Sequence, residues 1–355
     1  MIIVHVITAF GFGGAEKLLL NIVNKQIEEH SVHLIYLKSI DGLLSQLDKR
    51  IEVKNIPISL STIKQLKNYY KKTSPDIIHT HLGHADFLGI WSARKTKAKV
   101  FCTMHNIYFK KNLFDIVFFE LYKFLFLNIV KRGCIISISK AVEAHVVKRL
   151  KLPKERSYLL LNAIPSRIIE NKKENHIKIK LLFVGRLEKQ KNINTLFKAI
   201  EHLKSKNLKK EFQLTIVGDG KLKNELKKLT RVLKIENIVK FEGEQKEVDS
   251  FYSNSDIFIL PSIWEGFGIV ILEAFRAKLA VIVSNIEGPS ELVSDKMNGL
   301  LFEPENHLQL AEKIKELIIN DVLRERLALK GHESFTQKYH INNYVENLNR
   351  LYKDA

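Results

Sequence analysis

Two glutamates stand on either side of an apolar run in the segment WEGFGIVILEAF, which begins at Trp264. Glu265 precedes two glycines, and Glu273 lies within the apolar run, where a carboxylate is costly to bury unless a partner pairs with it. An ionised carboxylate accepts hydrogen bonds through both oxygens and can therefore hold two adjacent hydroxyl groups. The pair predicts a ligand that carries two separate sets of hydroxyl groups.

A basic pair follows another apolar run, in the segment KLLFVGRLEKQKN. Arg186 offers a planar fork for phosphate oxygens and Lys191 a movable point charge, so together they predict a diphosphate site. If Glu265 holds a sugar and Glu273 a ribose, with the diphosphate between them, the four side chains describe a nucleotide-sugar.

Glycine-rich turns stand where several predicted strands end. Such turns let backbone N–H groups approach an anion, and a helix N-terminus follows each of them. The turn GFGG lacks the G-x-G-x-x-G spacing of a nicotinamide-binding loop. Four such turns at matching strand ends therefore predict a phosphorylated ligand of another kind. The residues assigned to donor binding in this way are Gly13, Gly14, Gly185, Gly218, Gly266, Phe267 and Gly268.

Short β-rich runs alternate with longer helical patterns along the whole chain, which predicts βαβ units and parallel sheets. The strands of the first series are predicted at 2–7, 32–37, 76–79, 99–103, 134–138 and 157–161, with helices at 14–29, 61–72, 113–131 and 140–150. Those of the second series are predicted at 180–185, 212–217, 238–241, 257–260 and 280–283.

The two series predict two tandem doubly wound, Rossmann-like domains. The first covers residues 1–165 and the second residues 178–338, with a polar linker between them. The tail is helical, and we expect its last part, 339–355, to cross back to the first domain. Ligands of such sheets bind at the carboxyl ends of the strands, so a ligand is expected in an interdomain cleft.

The net charge of +18 is distributed unevenly. Residues 1–170 carry 26 lysines and arginines against 13 acidic residues, whereas residues 171–355 carry 31 against 26. A one-sided positive field indicates an anionic partner, such as a membrane surface, a nucleic acid or an anionic substrate. The alternative is a lysine-rich surface that only keeps the protein solvated.

Other features indicate a cytoplasmic protein. Cys102 and Cys134 are the two cysteines, which is typical of reduced thiols rather than of a disulfide framework. The N-terminal run has no basic region or cleavage site and is predicted as a first strand, not a signal peptide. The aromatic stretch 112–130 is interrupted by charges and is too polar to span a membrane. It predicts either a helix at a membrane surface or a helix buried against the sheet.

The ordered motifs resemble those of the family 4 retaining glycosyltransferases, which have the two-domain GT-B fold. EGFGIVILE is similar to that family's pair of glutamates separated by seven residues, and FVGRLEKQKN to its diphosphate site. GGAEK is similar to its N-terminal glycine loop, and ISISKAV, EGPSELV and NGLLF resemble further signatures. The sequence departs from the usual family pattern at NAIP and within EGPSE.

The resemblance implies transfer of a hexosyl or N-acetylhexosaminyl group from a UDP- or GDP-sugar, with retention and without a metal or other cofactor. Arg186 and Lys191 would stabilise the diphosphate leaving group, and His105 resembles the family's active-site histidine. The predicted catalytic residues are these three and Glu265. His81 and His84 are predicted to contact the acceptor; with His79 their spacing also permits a metal site, an alternative left open here.

The acceptor is expected to be a glycan or a polyprenyl- or other lipid-linked sugar of the cell envelope, reached by a peripheral enzyme on the inner face of the cytoplasmic membrane. A nucleotide-sugar 2-epimerase is the main alternative, although the paired glutamates argue against it. A phosphorylase would require a longer chain. A nucleic-acid-binding module would leave the glutamates unexplained, so no nucleic acid partner is expected.

Overall fold

The computed structural model describes the chain except for residues 41, 106–119, 122, 125–132, 152, 167–177, 207, 209 and 355. The chain divides into two compact units. The N-terminal unit comprises Met1–Pro165 together with Ile341–Ala355, and the C-terminal unit comprises Ser166–His340. Each unit contains one parallel sheet with helices on its faces.

The sheet of the N-terminal unit has seven strands in the order β3-β2-β1-β4-β5-β6-β7. The strands are β1 (Ile2–Ile7), β2 (Ser31–Tyr36), β3 (Glu52–Asn55), β4 (Ile77–His81), β5 (Lys99–Met104), β6 (Gly133–Ser137) and β7 (Ser157–Leu159). The helices between them are α1 (Gly14–Gln26), α2 (Thr62–Thr73), α3 (Gly83–Ala93) and α4 (Lys140–Leu150). Every neighbouring pair of strands is parallel.

The sheet of the C-terminal unit has six strands in the order β10-β9-β8-β11-β12-β13. The strands are β8 (Ile179–Val184), β9 (Phe212–Val217), β10 (Val239–Gly243), β11 (Ile257–Leu260), β12 (Ala280–Ser284) and β13 (Leu300–Phe302). The helices are α5 (Ile193–Lys204), α6 (Lys223–Val232), α7 (Asp249–Ser253), α8 (Ile269–Arg276), α9 (Pro289–Leu292), α10 (His307–Ile319) and α11 (Asp321–Lys338). The central strands are almost entirely apolar because both faces of a parallel sheet are covered.

The last helix, α12 (Ile341–Asp354), packs on the N-terminal unit. Tyr344, Leu348 and Tyr352 recur every four residues and so lie on one face of the helix. This face is buried in the same apolar cluster as Ile3 of β1 and Phe101 of β5. The end of the chain thereby reaches the core beneath the first sheet.

The strand order reverses between β1 and β4 in one sheet and between β8 and β11 in the other. At such a switch point, the loops that leave the two strands diverge and open a crevice at their carboxyl ends. Each unit therefore positions a candidate site at one defined place on its own sheet.

The prediction of two doubly wound α/β domains is confirmed. The strands β3 and β13 and the helix α3 were not among the predicted elements. β3 is a largely exposed edge strand and β13 has three residues, so neither produces a clear apolar pattern. The predicted linker and the stretch 112–130 lie almost wholly outside the described residues. Among the described helices, none has the length and apolar character needed to cross a bilayer.

Candidate functional site

The loops that follow β8 and β11 are tied together at the switch point of the C-terminal unit. The side-chain amide of Gln190 donates a hydrogen bond to the carbonyl oxygen of Trp264 at 3.0 Å. The backbone N–H of Ile263 donates to the carbonyl oxygen of Gln190 at 2.9 Å. Because β8 and β11 are neighbours in the sheet, these bonds join the predicted diphosphate and glutamate loops into one surface.

Lys191 and Glu265 form an ion pair across these two loops, with the ammonium of Lys191 donating to Oε2 of Glu265. The side chains are only 10% and 14% exposed. A charge buried to this extent needs a partner of opposite sign. Ser262 lies 3.4 Å from the same carboxylate oxygen. The structure thus brings together the cation predicted for the diphosphate and the carboxylate predicted for the sugar.

Arg186 is placed differently from Lys191. Its side chain is 69% exposed and lies 3.3 Å from the carboxylate of Glu188. A solvent-exposed ion pair of this kind has little net strength, so a phosphate can replace Glu188 at low cost. Direct contact of Arg186 or Lys191 with a diphosphate stays a prediction.

Glu273 is buried in the second turn of α8, where the hydroxyl of Tyr252 in α7 donates to its Oε2 at 2.8 Å. Burial, and after it the charge of Glu273, raises the pKa of Tyr252 well above its usual range, so this hydroxyl stays protonated. Among the described residues the other oxygen, Oε1, has no hydrogen-bond partner. The carboxylate is therefore held from one side and can accept from a ligand on the other.

Two glycines in the loops at the carboxyl ends of the C-terminal sheet are required by close backbone contacts. A Cβ atom on Gly218, in the loop after β9, would lie 2.0 Å from the carbonyl oxygen of Gly185. A Cβ atom on Gly288, which has φ of 90°, would lie 2.6 Å from the carbonyl oxygen of Glu265. The loops carrying the predicted site residues thus pack backbone against backbone, and a side chain here would displace Glu265.

The turn before α8 carries the remaining predicted donor-binding residues, Gly266, Phe267 and Gly268. Gly268 is the residue that caps the N-terminus of α8. The ring of Phe267 is buried and packs edge-on against Tyr339, with centroids 6.2 Å apart. Phe267 therefore supports the turn through the core, and its contact with a donor stays a prediction.

In the N-terminal unit, the loops that follow β1 and β4 are also joined. The hydroxyl of Thr8 donates to the carbonyl oxygen of Leu82 at 2.8 Å and accepts from the N–H of Ala85 at 3.1 Å. Gly13 caps α1 and Gly14 begins it, so backbone N–H groups of the first turn lie at the carboxyl end of β1. This is the place predicted for the glycine loop.

Beneath these loops lies a cluster of buried histidines on three adjacent strands. Nδ1 of His5 in β1 lies 3.1 Å from Nε2 of His81 in β4, and Nδ1 of His81 lies 3.3 Å from Nε2 of His105 after β5. Nε2 of His5 lies 2.8 Å from the side-chain oxygen of Gln26 in α1. His5 and Gln26 were not predicted, because nothing in their local sequence marks them.

His79 occupies a separate branch of this cluster, where its ring nitrogens bond to the hydroxyls of Tyr352 and Thr103. Burial lowers the pKa of both His5 and His105 to about 4. Burial, with smaller contributions from neighbouring histidines, also lowers the pKa values of His79 and His81 well below the usual range. All four rings are therefore neutral at physiological pH.

The predicted grouping of His79, His81 and His84 changes in the structure. His84 is exposed in the first turn of α3, and His5 takes its place beside the other two, with ring nitrogens within 4.8 Å of one another. All six ring nitrogens of that trio already have protein partners. His81 acts as a link between His5 and His105; contact of His81 or His84 with an acceptor stays a prediction.

Two family models match the chain one after the other. The model described as "Glycosyltransferase Family 4" matches residues 12–167, and that described as "Glycosyl transferases group 1" matches residues 166–334. Together they cover residues 12–334, which include the loops that carry Lys191, Glu265 and Gly288.

Individual proteins show the same similarity. An uncharacterised glycosyltransferase of Methanocaldococcus jannaschii is 28% identical, covering 96% of this chain and 95% of its own. The UDP-Gal:alpha-D-GlcNAc-diphosphoundecaprenol alpha-1,3-galactosyltransferase of Escherichia coli is 28% identical over 78% of this chain and 77% of its own. The crystal structure of Anabaena HepE in complex with UDP superimposes with a TM-score of 0.88 at 18% identity, over 100% of both chains.

Two doubly wound units and the likeness to HepE over the whole chain show the GT-B fold. The chain belongs to the family 4 glycosyltransferases, and the resemblance seen in its motifs is confirmed.

Proposed function

We propose that this glycosyltransferase moves a hexosyl or N-acetylhexosaminyl group from a nucleoside diphosphate sugar to a glycan or lipid-linked acceptor of the cell envelope. The observation that carries the proposal is the buried ion pair of Lys191 and Glu265 at the switch point. It holds a cation suited to a diphosphate and a carboxylate suited to sugar hydroxyls on two tied loops. The Escherichia coli relative, which by its name uses UDP-Gal and a diphosphoundecaprenol-linked acceptor, supports both substrate classes.

Uridine is the base that we propose for the donor. HepE has been crystallised with UDP and with UDP-glucose, and the name of the Escherichia coli relative specifies UDP-Gal. The ribose of such a donor has two adjacent hydroxyls that suit the carboxylate of Glu273, which Tyr252 holds in place. Guanosine is the alternative base.

The ion pair also provides a way to stabilise the leaving group. As the glycosidic bond breaks, the bonding electrons pass to the diphosphate oxygen, which gains negative charge. Lys191 and Arg186 are the cations that meet this charge, and preorganised charges are most effective where charge develops. When Lys191 turns to the phosphate, Glu265 is released to accept hydrogen bonds from the sugar hydroxyls.

We propose that the reaction proceeds with retention and without a metal or other cofactor. The acceptor hydroxyl forms its new bond to the anomeric carbon on the face that the diphosphate leaves, and its proton passes to the leaving phosphate. In this scheme no protein nucleophile is needed. Two basic side chains and backbone N–H groups take the charge-neutralising role that a divalent cation would otherwise have.

The N-terminal unit contributes the acceptor side in this proposal. In addition, the N–H groups of Gly13 and Gly14 at the start of α1 are proposed to bind the anionic part of the donor. His105 follows β5 and is proposed to contact a hydroxyl group of the bound sugar or acceptor.

The same unit is proposed to bind an anionic membrane surface on the cytoplasmic side. It has an open cavity of about 1100 Å³ whose lining is rich in lysine. The lysines are Lys67, Lys71, Lys95, Lys97, Lys99 and Lys353. Each basic residue near an anionic bilayer contributes about 1 kcal/mol, so several together could hold the enzyme near a lipid-linked acceptor.

Sedimentation with vesicles tests the membrane proposal. We expect binding to anionic but not to neutral vesicles at low salt, and loss of binding at high salt because ions screen the attraction. Failure to bind anionic vesicles at low salt would remove this part of the proposal and leave the transferase activity untouched.

The transferase proposal is tested in two stages. A thermal-shift screen of nucleoside diphosphates and their sugars identifies the donor, since a ligand that binds only the folded state raises its stability. Release of the nucleoside diphosphate is then measured with and without candidate acceptors. We expect UDP release that depends on the acceptor; release that ignores every acceptor while the sugar isomerises would support an epimerase instead.

A further inference from the structure

Four buried side chains form a continuous hydrogen-bonded row across the N-terminal unit. The contacts run from the side-chain oxygen of Gln26 to Nε2 of His5 at 2.8 Å, then from Nδ1 of His5 to Nε2 of His81 at 3.1 Å. The last contact joins Nδ1 of His81 to Nε2 of His105 at 3.3 Å. His5 and His81 therefore use both ring nitrogens within the row, and His105 is its terminal ring.

The row has a direction, because a neutral imidazole has one N–H donor and one unprotonated acceptor nitrogen. The amide nitrogen of Gln26 donates to the side-chain oxygen of Asn349 in α12 at 2.9 Å, so the amide oxygen faces His5. An oxygen only accepts, and Nε2 of His5 must therefore carry the proton. Asn349 thus connects the last helix of the chain to the start of the row.

The same reasoning passes from ring to ring. With its proton on Nε2, His5 presents an unprotonated Nδ1, which accepts from Nε2–H of His81. Nδ1 of His81 is then unprotonated and accepts from Nε2–H of His105. Burial keeps the pKa values of these three rings far below neutrality, so each ring carries a single proton at neutral pH. The alternation of donor and acceptor nitrogens along the row is therefore not broken.

We infer that the row from Gln26 through His5 and His81 fixes the tautomer of His105, with the proton on Nε2 and an unprotonated Nδ1. The tautomer of a histidine is set by the hydrogen bond that its other nitrogen makes. Gln26, His5 and His81 are therefore positioning residues that act through His105.

This assignment also specifies the kind of group that His105 binds, an inference that rests on the proposed function. Nδ1 can accept a hydrogen bond from a hydroxyl of the donor sugar or the acceptor. It cannot donate to a phosphate oxygen, since it has no proton to give. His105 thus recognises a sugar or acceptor hydroxyl, while the phosphates are left to Arg186, Lys191 and backbone N–H groups.

The experiment is an NMR measurement on the full-length protein with ¹⁵N-labelled histidine, in the absence of any substrate. Long-range ¹H–¹⁵N correlation spectra distinguish protonated from unprotonated ring nitrogens, and the spectrum of His105→Gln assigns the His105 signals. In the wild type at neutral pH we expect an unprotonated Nδ1 and a protonated Nε2 for His105. A His105 ring protonated on Nδ1 would overturn the inference.

Three variants test whether the row is the cause. Gln26→Met removes the oxygen that starts the row, and we expect His105 to become a mixture of tautomers. Gln26→Glu keeps an oxygen toward His5 and should retain the wild-type tautomer. Thr103→Val is the matched control, because Thr103 is equally buried and bonds His79, which lies outside the row. It should leave His105 unchanged.

A folded Gln26→Met variant with the wild-type His105 tautomer would show that the row does not set it. If that variant does not fold, as circular dichroism would show, the wild-type spectrum still decides the tautomer. Because no substrate is used, the result is independent of whether the proposed transfer reaction is observed. An absence of nucleotide release would refute the proposed function and leave the tautomer measurement valid.

Discussion

The two units use the same topology at their switch points but place opposite chemistry there. In the N-terminal unit, β1, β4 and the end of β5 carry buried, neutral histidines that bond to one another. In the C-terminal unit, the loops after β8 and β11 carry the ion pair of Lys191 and Glu265, and Arg186 is exposed in the first of these loops. The two switch points therefore occupy the same place in the fold of each unit and differ in the chemistry of their side chains.

The difference follows from the cost of burying charge. Removing an ion from water costs several kcal/mol unless an opposite charge compensates it. The C-terminal unit meets this requirement with a paired lysine and carboxylate. The N-terminal unit meets it by keeping the four buried histidines of this cluster uncharged. One arrangement suits an anionic diphosphate and the other suits hydroxyl groups.

The largest expected effect is loss of the cations of the C-terminal unit. We expect Arg186→Ala and Lys191→Ala each to lower the rate of transfer by on the order of 10²-fold or more, because leaving-group stabilisation is lost. Steady-state rates of nucleotide release measure this. The thermal stability of each variant should be measured as well, because Lys191→Ala leaves Glu265 buried without its partner and is expected to destabilise the fold.

Lys189→Ala is the matched control for these variants. Lys189 begins the same short helical turn and is exposed, so its loss removes one charge near the site without breaking the buried pair. We expect nearly normal transfer. A folded Arg186→Ala enzyme with normal turnover would remove Arg186 from the site and weaken the comparison between the units.

Acid should destabilise the N-terminal unit selectively. His5 and His105 have pKa values of about 4 when folded, against 6.5 when unfolded, so the unfolded chain binds more protons between these limits. The free energy of unfolding therefore falls as the pH is lowered from 6.5 to 4. One pKa unit corresponds to about 1.4 kcal/mol, which gives roughly 3 kcal/mol for His5 alone.

Asp86 acts in the opposite direction, because burial raises its pKa to about 6 and the folded state then gains protons first. Asp86 is a single group, whereas four buried histidines lower the free energy of unfolding as the pH falls, so we expect a net loss of stability. In the C-terminal unit, Asp219 and Asp321 have lowered pKa values owing to hydrogen bonds from neighbouring lysines, so their contributions are lost only below pH 3.8.

The two tryptophans allow the units to be followed separately in urea unfolding. Trp91 lies in the N-terminal unit and Trp264 in the C-terminal unit, so Trp264→Phe and Trp91→Phe each leave one reporter. Between pH 6.5 and 4, the midpoint reported by Trp91 should fall more than that reported by Trp264. Equal shifts would contradict the placement of the four buried, neutral histidines in the N-terminal unit.

A smaller effect is expected from each glutamate, and it should separate their roles. Glu273→Gln should weaken binding of free UDP by about 10- to 100-fold, since hydrogen bonds to a charged group contribute about 1.5–3 kcal/mol. Glu265→Gln should leave UDP binding nearly unchanged and impair use of the whole donor. Isothermal titration with UDP and with the UDP-sugar makes the distinction. Equal losses of UDP binding would refute this division.

The smallest expected effect is that of metal removal. Since Arg186, Lys191 and backbone N–H groups are proposed to neutralise the diphosphate, activity should be unchanged in excess chelator. The rate of nucleotide release is measured before and after dialysis against EDTA. Activity that disappears and returns only with magnesium or manganese would refute metal independence.

The limits of sequence interpretation are visible in particular residues. Arg186, Lys191 and Glu265 were recognisable because they stand in loops between a strand end and a helix start. Glu273 was recognisable as a carboxylate within an apolar run. The pairing of Lys191 with Glu265 was not predictable, since the two are 74 residues apart and meet only because β8 and β11 are neighbours. Tyr252, the partner of Glu273, had no sequence signal, since a tyrosine in an amphipathic helix is ordinarily a core residue.

The histidine row shows most clearly what a local sequence pattern cannot predict. The sequence by itself determined the alternation of strands and helices, the glycine turns and the residues placed at strand ends, because apolar periodicity and turn chemistry are local properties. Only the tertiary structure decided that His5, Gln26 and Asn349 join His81 and His105, since Asn349 lies 323 residues from Gln26. A proton's position on His105 depends on that long-range contact, and no local pattern encodes it.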